Sequence, residues 1–275
     1  MKIYGIKDIL EKLEKCIDER LPFSHIRFGD GGIKLLHAIL YEDEKQLKII
    51  CKKEGIPMEK MGDIFNLWGY YSRRADYIDT PEVYFQDTFW DRTRTETKYI
   101  TKKTAERLKM WKSLYASAEM DNRNFCNPES NYLMIIDNAY YSNLLEYMKK
   151  RKMCLITAKP EVGRTLKENS FDVKILKIVG HYQDQYKNSF NEVMKYIKDY
   201  ANSYDFWMVA AGELGRIYSG YIKECGGRTI DIGFVVEFWR GENIHPRLRT
   251  YLSRSEKSKL CLSLTEEGKK YEKFI

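Results

Sequence analysis

No apolar run in this 275-residue sequence approaches the ~20 residues that a membrane-spanning helix needs. Its start, Met1-Lys2-Ile3-Tyr4-Gly5, lacks the apolar core of a signal peptide. The expectation is a cytoplasmic protein, peripheral to a membrane at most. Cys-x-x-Cys pairs are missing as well. The six cysteines (Cys16, Cys51, Cys126, Cys154, Cys225 and Cys261) are scattered, which argues against a zinc framework or a disulfide network. Several lie in apolar surroundings and read as reduced core residues. Only four histidines are present, so a Ser-His-Asp triad or a His-rich metal site has few ways to form. Gly-x-Ser-x-Gly, the phosphate-binding Gly-Lys-Ser/Thr loop and His-Glu-x-x-His do not occur. There is no internal repeat, low-complexity tract or linker, so residues 1–275 read as one domain.

What is present fits a globular chain: 43% of residues are hydrophobic and 32% charged. The formal charge is 47 − 40 = +7, which suits an anionic partner such as a nucleotide, a nucleic acid or an anionic membrane surface. Part of the excess sits in Lys102-Lys103, in Lys149-Lys150-Arg151-Lys152 and in the C-terminal lysines. These read as solvated helix ends. The basic residues are otherwise spread out and no nucleic-acid motif occurs, so nucleic acid is the disfavoured partner.

Residues 6–20 carry Ile6, Ile9, Leu10, Leu13 and Ile17 at helical spacing. A strand is predicted over 23–28, then helices over 33–40, 47–53 and 58–67. The aromatic interval 68–90 is irregular, with a short strand predicted at 83–85. A helix is predicted over 102–118. Residues 55–130 are expected to form a helical, aromatic insertion on the acceptor side of a site. From Tyr132 the rhythm is regular. Strands at 132–136, 153–157, 173–179, 206–211 and 228–232 alternate with helices at 140–150, 162–168, 184–200 and 214–225. That alternation predicts an α/β, Rossmann-like fold: a mostly parallel sheet with helices on both faces.

In such sheets, ligands bind at the carboxyl ends of strands. One end is His25-Ile26-Arg27-Phe28-Gly29-Asp30-Gly31-Gly32, where apolar residues stop at a carboxylate among glycines. Glycine admits close backbone approach, and helix-start N–H groups favour anions. Asp30 reads equally as a ligand residue and as a helix cap. Ala211-Gly212-Glu213-Leu214-Gly215 joins a strand to a helix; it serves a phosphate or ribose, or is an ordinary turn. Asp231 ends an apolar strand, where it binds a metal or hydroxyls or caps a turn. His181 can donate to a phosphate and Tyr182 can stack on a base, or both belong to a plain loop. The segment 239–249 is aromatic and basic, and its Arg240, Arg247 and Arg249 can meet a diphosphate or stay solvated.

Taken together, Ile26-Arg27-Phe28-Gly29-Asp30-Gly31, Val209-Ala210-Ala211-Gly212-Glu213-Leu214-Gly215 and Gly226-Gly227-Arg228-Thr229-Ile230-Asp231-Ile232-Gly233 resemble the GT-D-fold glycosyltransferases. Glu237, Trp239, Gly241 and Pro246-Arg247 resemble a continuation of the same pattern. The resemblance implies a bacterial-type enzyme that moves a sugar from a nucleotide-diphosphate sugar to a glycan or other hydroxyl acceptor. It also implies an Asp-x-Glu motif that engages a divalent cation, Mn²⁺ or Mg²⁺, with Asp30 as the metal carboxylate. Gly32 stands where the motif has Glu, and Phe234 stands where some members carry His. The expected catalytic residues are Asp30, Asp231 and Glu237, with Asp231 or Glu237 as acceptor-side base. The expected nucleotide-sugar contacts are Arg27, Gly29, Asp30, Gly31, Gly212, Glu213, Gly215, His181 and Tyr182. Glu213 or Glu237 could replace the missing carboxylate, or basic side chains could replace the metal. The alternatives are a noncatalytic relative that binds a sugar nucleotide and, from another class, a nucleic-acid-binding protein.

Overall fold

The computed structural model describes residues 3–27, 29–79, 124–126, 146–233 and 235–239. In chain order the elements are β1 (Ile3–Tyr4), α1 (Ile6–Asp18), β2 (Phe23–Ile26), α2 (Gly29–Leu40) and α3 (Glu44–Glu54). A 3-10 turn (Met58–Lys60) leads into α4 (Met61–Arg74), β3 (Tyr77–Asp79) and β4 (Asn124–Cys126). After a helical turn at 146–149 come β5 (Met153–Thr157), α5 (Val162–Glu168) and β6 (Val173–Lys177). A π turn (Tyr186–Phe190) opens α6 (Asn191–Tyr200), followed by β7 (Phe206–Ala210), α7 (Gly215–Glu224), β8 (Arg228–Asp231) and α8 (Val235–Trp239).

The eight described strands form one sheet in the order β1-β4-β3-β2-β8-β7-β5-β6. Every neighbouring pair is parallel. Parallel strands need long crossovers, and the crossing helices cover both faces. The covering is visible in the side chains. Ile26, Ile78, Cys154, Ile156, Trp207 and Val209 point into a core shared with α2, α3, α4, α6 and α7. Phe23, Tyr77, Met153, Leu155, Phe206, Met208 and Ile230 point into a second core with α1, α5 and α8. Burial on both sides explains why β5 is buried throughout and runs apolar from Met153 to Ile156 rather than alternating.

The α/β reading holds, and several boundaries move. The glycines expected to form a turn before a helix at 33 are instead the first turn of α2, which starts at Gly29. The helix expected to end at 67 runs on to Arg74, burying Trp68 and Tyr71. β1, β3 and β4 were not foreseen; two or three residues carry too little periodicity to be read. The long helix expected over 184–200 begins as the π turn. Within the 55–130 interval expected as an insertion, α4, β3 and β4 belong to the sheet and its cover. The remainder of that interval at 80–123, the strand expected at 132–136 and the segment 240–249 lie outside the described residues, as does Phe28. No helix among the described residues is long and apolar enough to cross a membrane.

Helices α4 and α7 cross with almost no gap, and Gly220 permits it. A Cβ at Gly220 would stand 2.2 Å from the Cβ of Tyr71. Because that atom is fixed to the backbone, the helices must separate. Gly220→Ala should therefore destabilise the fold by about 1–3 kcal/mol through overpacking, despite alanine's higher helix propensity. A lower urea midpoint at unchanged slope would show it; an unchanged midpoint would contradict this packing.

Candidate active site

The register brings the strand ends into one row. Cys126 lies opposite Asp79, and Ile26 opposite Ile78. His25 lies opposite Ile230, Asp231 opposite Val209, and Ala210 opposite Thr157. Arg27, Asp79, Asp231 and the 211–214 loop therefore share the carboxyl edge. The chain leaves β2 and β7 toward the α4/α7 face, but β8 and β5 toward the α1/α5 face. Loops that part in this way open crevices at the strand ends.

Asp79 is the hub of the first cluster, with its side chain 1% exposed. His25 Nε2 lies 2.9 Å from its Oδ1, and the Cys126 thiol donates to the same oxygen at 3.1 Å. Arg27 Nε stands 3.7 Å from Oδ2. A buried carboxylate without such partners would cost several kcal/mol, on the order of 3–5. Burial, reinforced by the Asp79 charge, pushes the Cys126 thiol well above its usual range, so it stays protonated and can donate.

Arg216 holds the second cluster together. Its Nε donates to the Arg27 carbonyl at 2.8 Å, and its guanidinium is paired with Glu213. The same guanidinium lies against Gly32, where a Cβ would stand 3.2–3.3 Å from three of its atoms. Asp231 is buried next to this group, and its Oδ1 accepts the Gly233 N–H at 3.1 Å. Burial pushes the Asp231 carboxyl above its usual range; Arg27, Arg216 and His25 pull it back, and Asp79 adds to the push. Glu213 is likewise raised by burial and drawn down by Arg216.

A third group lies where 212–215 meets the end of α3. Gly212 takes φ +58°, and a Cβ there would stand 2.7 Å from His181 Cε1 and 3.2 and 3.3 Å from the Glu54 carboxylate oxygens. Glu54 is fully buried. His181 Nδ1 lies 3.2 Å from its Oε1, and Lys53 Nζ 3.4 Å. Tyr182, at φ +62°, is 66% exposed.

A family model for the GT-D fold-like domain matches residues 4–239. This chain belongs to the GT-D-like family. Three solved structures share the fold. A glycosyltransferase (DUF1792) from Streptococcus sanguinis is 14% identical, with 88% of this chain and 86% of that one covered at a TM-score of 0.58. A structure of the highly conserved domain of unknown function 1792, described as having a distinct glycosyltransferase fold, is 17% identical, with 94% of each chain covered at 0.54. A selenomethionine-substituted structure of the same domain matches at 17% identity, 94% of each chain and 0.55. No curated protein matches.

The described residues do not complete the implied carboxylate pair for a divalent cation. Gly32 offers no oxygen, and the space beside it holds a guanidinium, which repels a metal ion. Glu213 is not free to substitute, because Arg216 already engages it. The one group of metal-type donors among the described residues is His25, Asp79 and Cys126, whose donor atoms lie within 4.8 Å of one another. Imidazole, thiol and carboxylate suit a zinc-type ion better than Mg²⁺ or Mn²⁺, which favour oxygen. The hydrogen bonds to Asp79 already account for their positions.

Of the expected site residues, the structure brings Arg27, Asp231, Gly212, Glu213, Gly215 and His181 to the carboxyl edge. Gly29, Asp30 and Gly31 form the first turn of α2; the Asp30 side chain lies outside the described part. Glu237 is half-buried on α8, and no described contact brings it to these clusters. His25, Glu54, Asp79, Cys126 and Arg216 were not foreseen. Asp79 had a signal: Tyr77-Ile78-Asp79 ends in a carboxylate as Thr229-Ile230-Asp231 does. Glu54 had one too, since an acidic residue at a helix C-terminus opposes the helix dipole.

The raised Asp231 carboxyl gives a signed expectation. The folded state binds this proton more tightly than the unfolded state. Its contribution is therefore greatest below the ordinary carboxylate pKa and is lost as pH rises through the elevated one. Urea midpoints measured from about pH 4 to about pH 8 should fall less steeply for Asp231→Asn than for the natural protein. Parallel profiles would show that the group titrates normally.

Proposed function

We propose that this GT-D-like protein is a glycosyltransferase that moves a sugar from a nucleotide-diphosphate sugar to a hydroxyl of a glycan or other acceptor. The observation that carries this reading is the pair Arg27 and Arg216, tied together by the 2.8 Å bond at the strand edge beside the glycine loop after β7. Departure of a nucleoside diphosphate develops negative charge. Fixed cationic groups in a partly desolvated site stabilise that charge without reorganising. Arg27 is the more accessible of the two and is the one placed to touch the diphosphate. The buried Arg216 holds the Arg27 carbonyl and adds its field.

On this reading the backbone of Gly29, Asp30 and Gly31, opening α2, faces the donor as a helix N-terminus does an anion. Asp30 positions the donor. Gly212, Glu213 and Gly215 line the nucleotide, and the exposed ring of Tyr182 offers a stacking surface. The replacement of the motif Glu by Gly32 also favours a second reading, a noncatalytic relative that binds the same donor without transferring it.

A thermal-shift series against UDP, GDP, dTDP and their sugars, with Mn²⁺ and with EDTA, tests the proposal. Binding stabilises by about 2.7 kcal/mol at 100 times Kd. The melting temperature should rise with one nucleotide family, and equally in EDTA. A rise confined to Mn²⁺ would return the cation to the site. No rise with any of them would count against donor binding. Release of nucleoside diphosphate above background separates the transferase from the noncatalytic binder.

A further inference from the structure

We infer that His181 is the acceptor-side general base and that buried Glu54 is its positioning residue, an inference that rests on the transfer reading above. The carboxylate of Glu54 is sealed in the protein, and neither of its oxygens makes a formed hydrogen bond. Placing such a group out of water is costly unless it faces a cation or donor. It faces two groups at Oε1: Lys53 Nζ at 3.4 Å and, closer, His181 Nδ1 at 3.2 Å on a side chain that is 43% exposed. A carboxylate behind one ring nitrogen selects the tautomer with its proton on Nδ1. Nε2 is then the lone-pair nitrogen available to a substrate. The Nδ1–Glu54 contact is long and imperfectly aligned, as such contacts often are before substrate binds.

The platform under His181 is fixed from three sides. The Tyr182 N–H donates to the Lys53 carbonyl at 2.7 Å, closing the end of α3. Gln185 Nε2 donates to the Ala211 carbonyl at 3.2 Å, tying the loop to the end of β7. Gly55, at φ +67°, lies against the Asp184 backbone so closely that a Cβ would stand 2.2 Å from its Cα. Tyr182 and Asp184 both take positive φ, an uncommon backbone conformation for non-glycine residues. A base must sit within a few tenths of an ångström of its working position, and these contacts supply that constraint. The Gly212 contact puts the imidazole over the loop that lines the nucleotide. An open cleft lined by Lys52, Pro57, Asp184, Tyr186 and Lys187 lies at the same α3–loop junction.

In the step, Nε2 of His181 takes the proton of the acceptor hydroxyl as that oxygen bonds to the anomeric carbon. The bond from that carbon to the diphosphate oxygen breaks, and its electron pair leaves with the nucleoside diphosphate. This single displacement inverts the anomeric carbon. The imidazolium that forms is stabilised by Glu54. Lys53 on α3 opposes it, and Glu213 in the 211–214 loop favours it. Asp231 is less suited to the role: it is buried, already accepts a backbone N–H, and sits beside two arginines.

The test uses the full chain with UDP-glucose, UDP-N-acetylglucosamine, UDP-galactose and GDP-mannose as donors, and p-nitrophenyl glycosides or water as acceptors. His181→Gln should lower kcat by about 100-fold or more. It should leave the donor KM and the nucleotide-induced thermal shift unchanged and remove the acidic limb of the pH–rate profile. Because the side chain is on the surface, the variant should fold. Nitrogen-15 NMR of the four histidines should find His181 protonated on Nδ1, and Glu54→Gln should erase that preference while lowering kcat at constant KM. A His181→Gln enzyme with natural kcat or an intact acidic limb would overturn the inference. So would simultaneous loss of donor binding, which would make His181 a donor ligand, or an Nε2-protonated ring in the natural protein. A natural protein inactive with every donor would instead overturn the transferase reading. The NMR result needs no substrate and still decides the Glu54–His181 pairing.

Discussion

A single buried guanidinium joins parts of the chain that would otherwise only be neighbours. Arg216 reaches from the first turn of α7 to the Arg27 carbonyl just after β2, pairs with Glu213 in the loop before α7, and covers Gly32 in α2. Each contact compensates for part of the cost of taking the charge out of water. Remove the partners and the charge is unsupported; remove the charge and a β2 carbonyl and the Glu213 carboxylate lose theirs. The electrostatics at this edge depend on this side chain too: the field of Arg216 and Arg27 that draws Asp231 down is the field a departing diphosphate would meet.

The parallel register does the rest of the assembly. His25, Asp79 and Cys126 come from three neighbouring strands: Cys126 is directly opposite Asp79, and His25 is opposite Tyr77, two residues before Asp79 and on the same face. Their cluster keeps Arg27 within reach of a negative partner on one side while its backbone is held by Arg216 on the other. Glycine then sets distances. At Gly212 the left-handed backbone lets imidazole and carboxylate approach the loop, and at Gly32 the missing side chain leaves room for the arginine. The glycine that departs from the Asp-x-Glu pattern thus makes space for a fixed positive charge.

Much of this architecture could be read from residue patterns. The alternation from 153 onward specified β5 to β8 and their helices, because each strand is an apolar run long enough to be seen and is bounded by glycine or charge. The strand ends at Arg27, 212–215 and Asp231 were legible for the same reason. What escaped reading was short or relational. β3 has three residues, and nothing in them says that Asp79 will lie beside His25. The role of Arg216 exists only through packing, and in the sequence it is an ordinary charge on an amphipathic helix; Glu54 is out of place at a helix C-terminus, but nothing near it in the sequence names His181 as its partner. Gly32 was visible as a departure from the family motif, but the group that fills the gap comes from 184 residues further along the chain.

That separation has a consequence for how the protein comes into being. The bond from Arg216 to the Arg27 carbonyl spans 189 residues, and β2 pairs directly with β8 at the middle of the sheet. Contacts this distant must overcome the entropy of closing long loops, so they form late and slowly. On a ribosome, the N-terminal strands emerge long before the partner that completes their central pairing. Until α7 and β8 arrive, β2 has an unsatisfied edge in the middle of the future sheet, and the cluster of arginines and carboxylates does not exist. A nascent chain therefore has no ligand-binding centre to protect it, and its interval of exposure is set by the pace of translation.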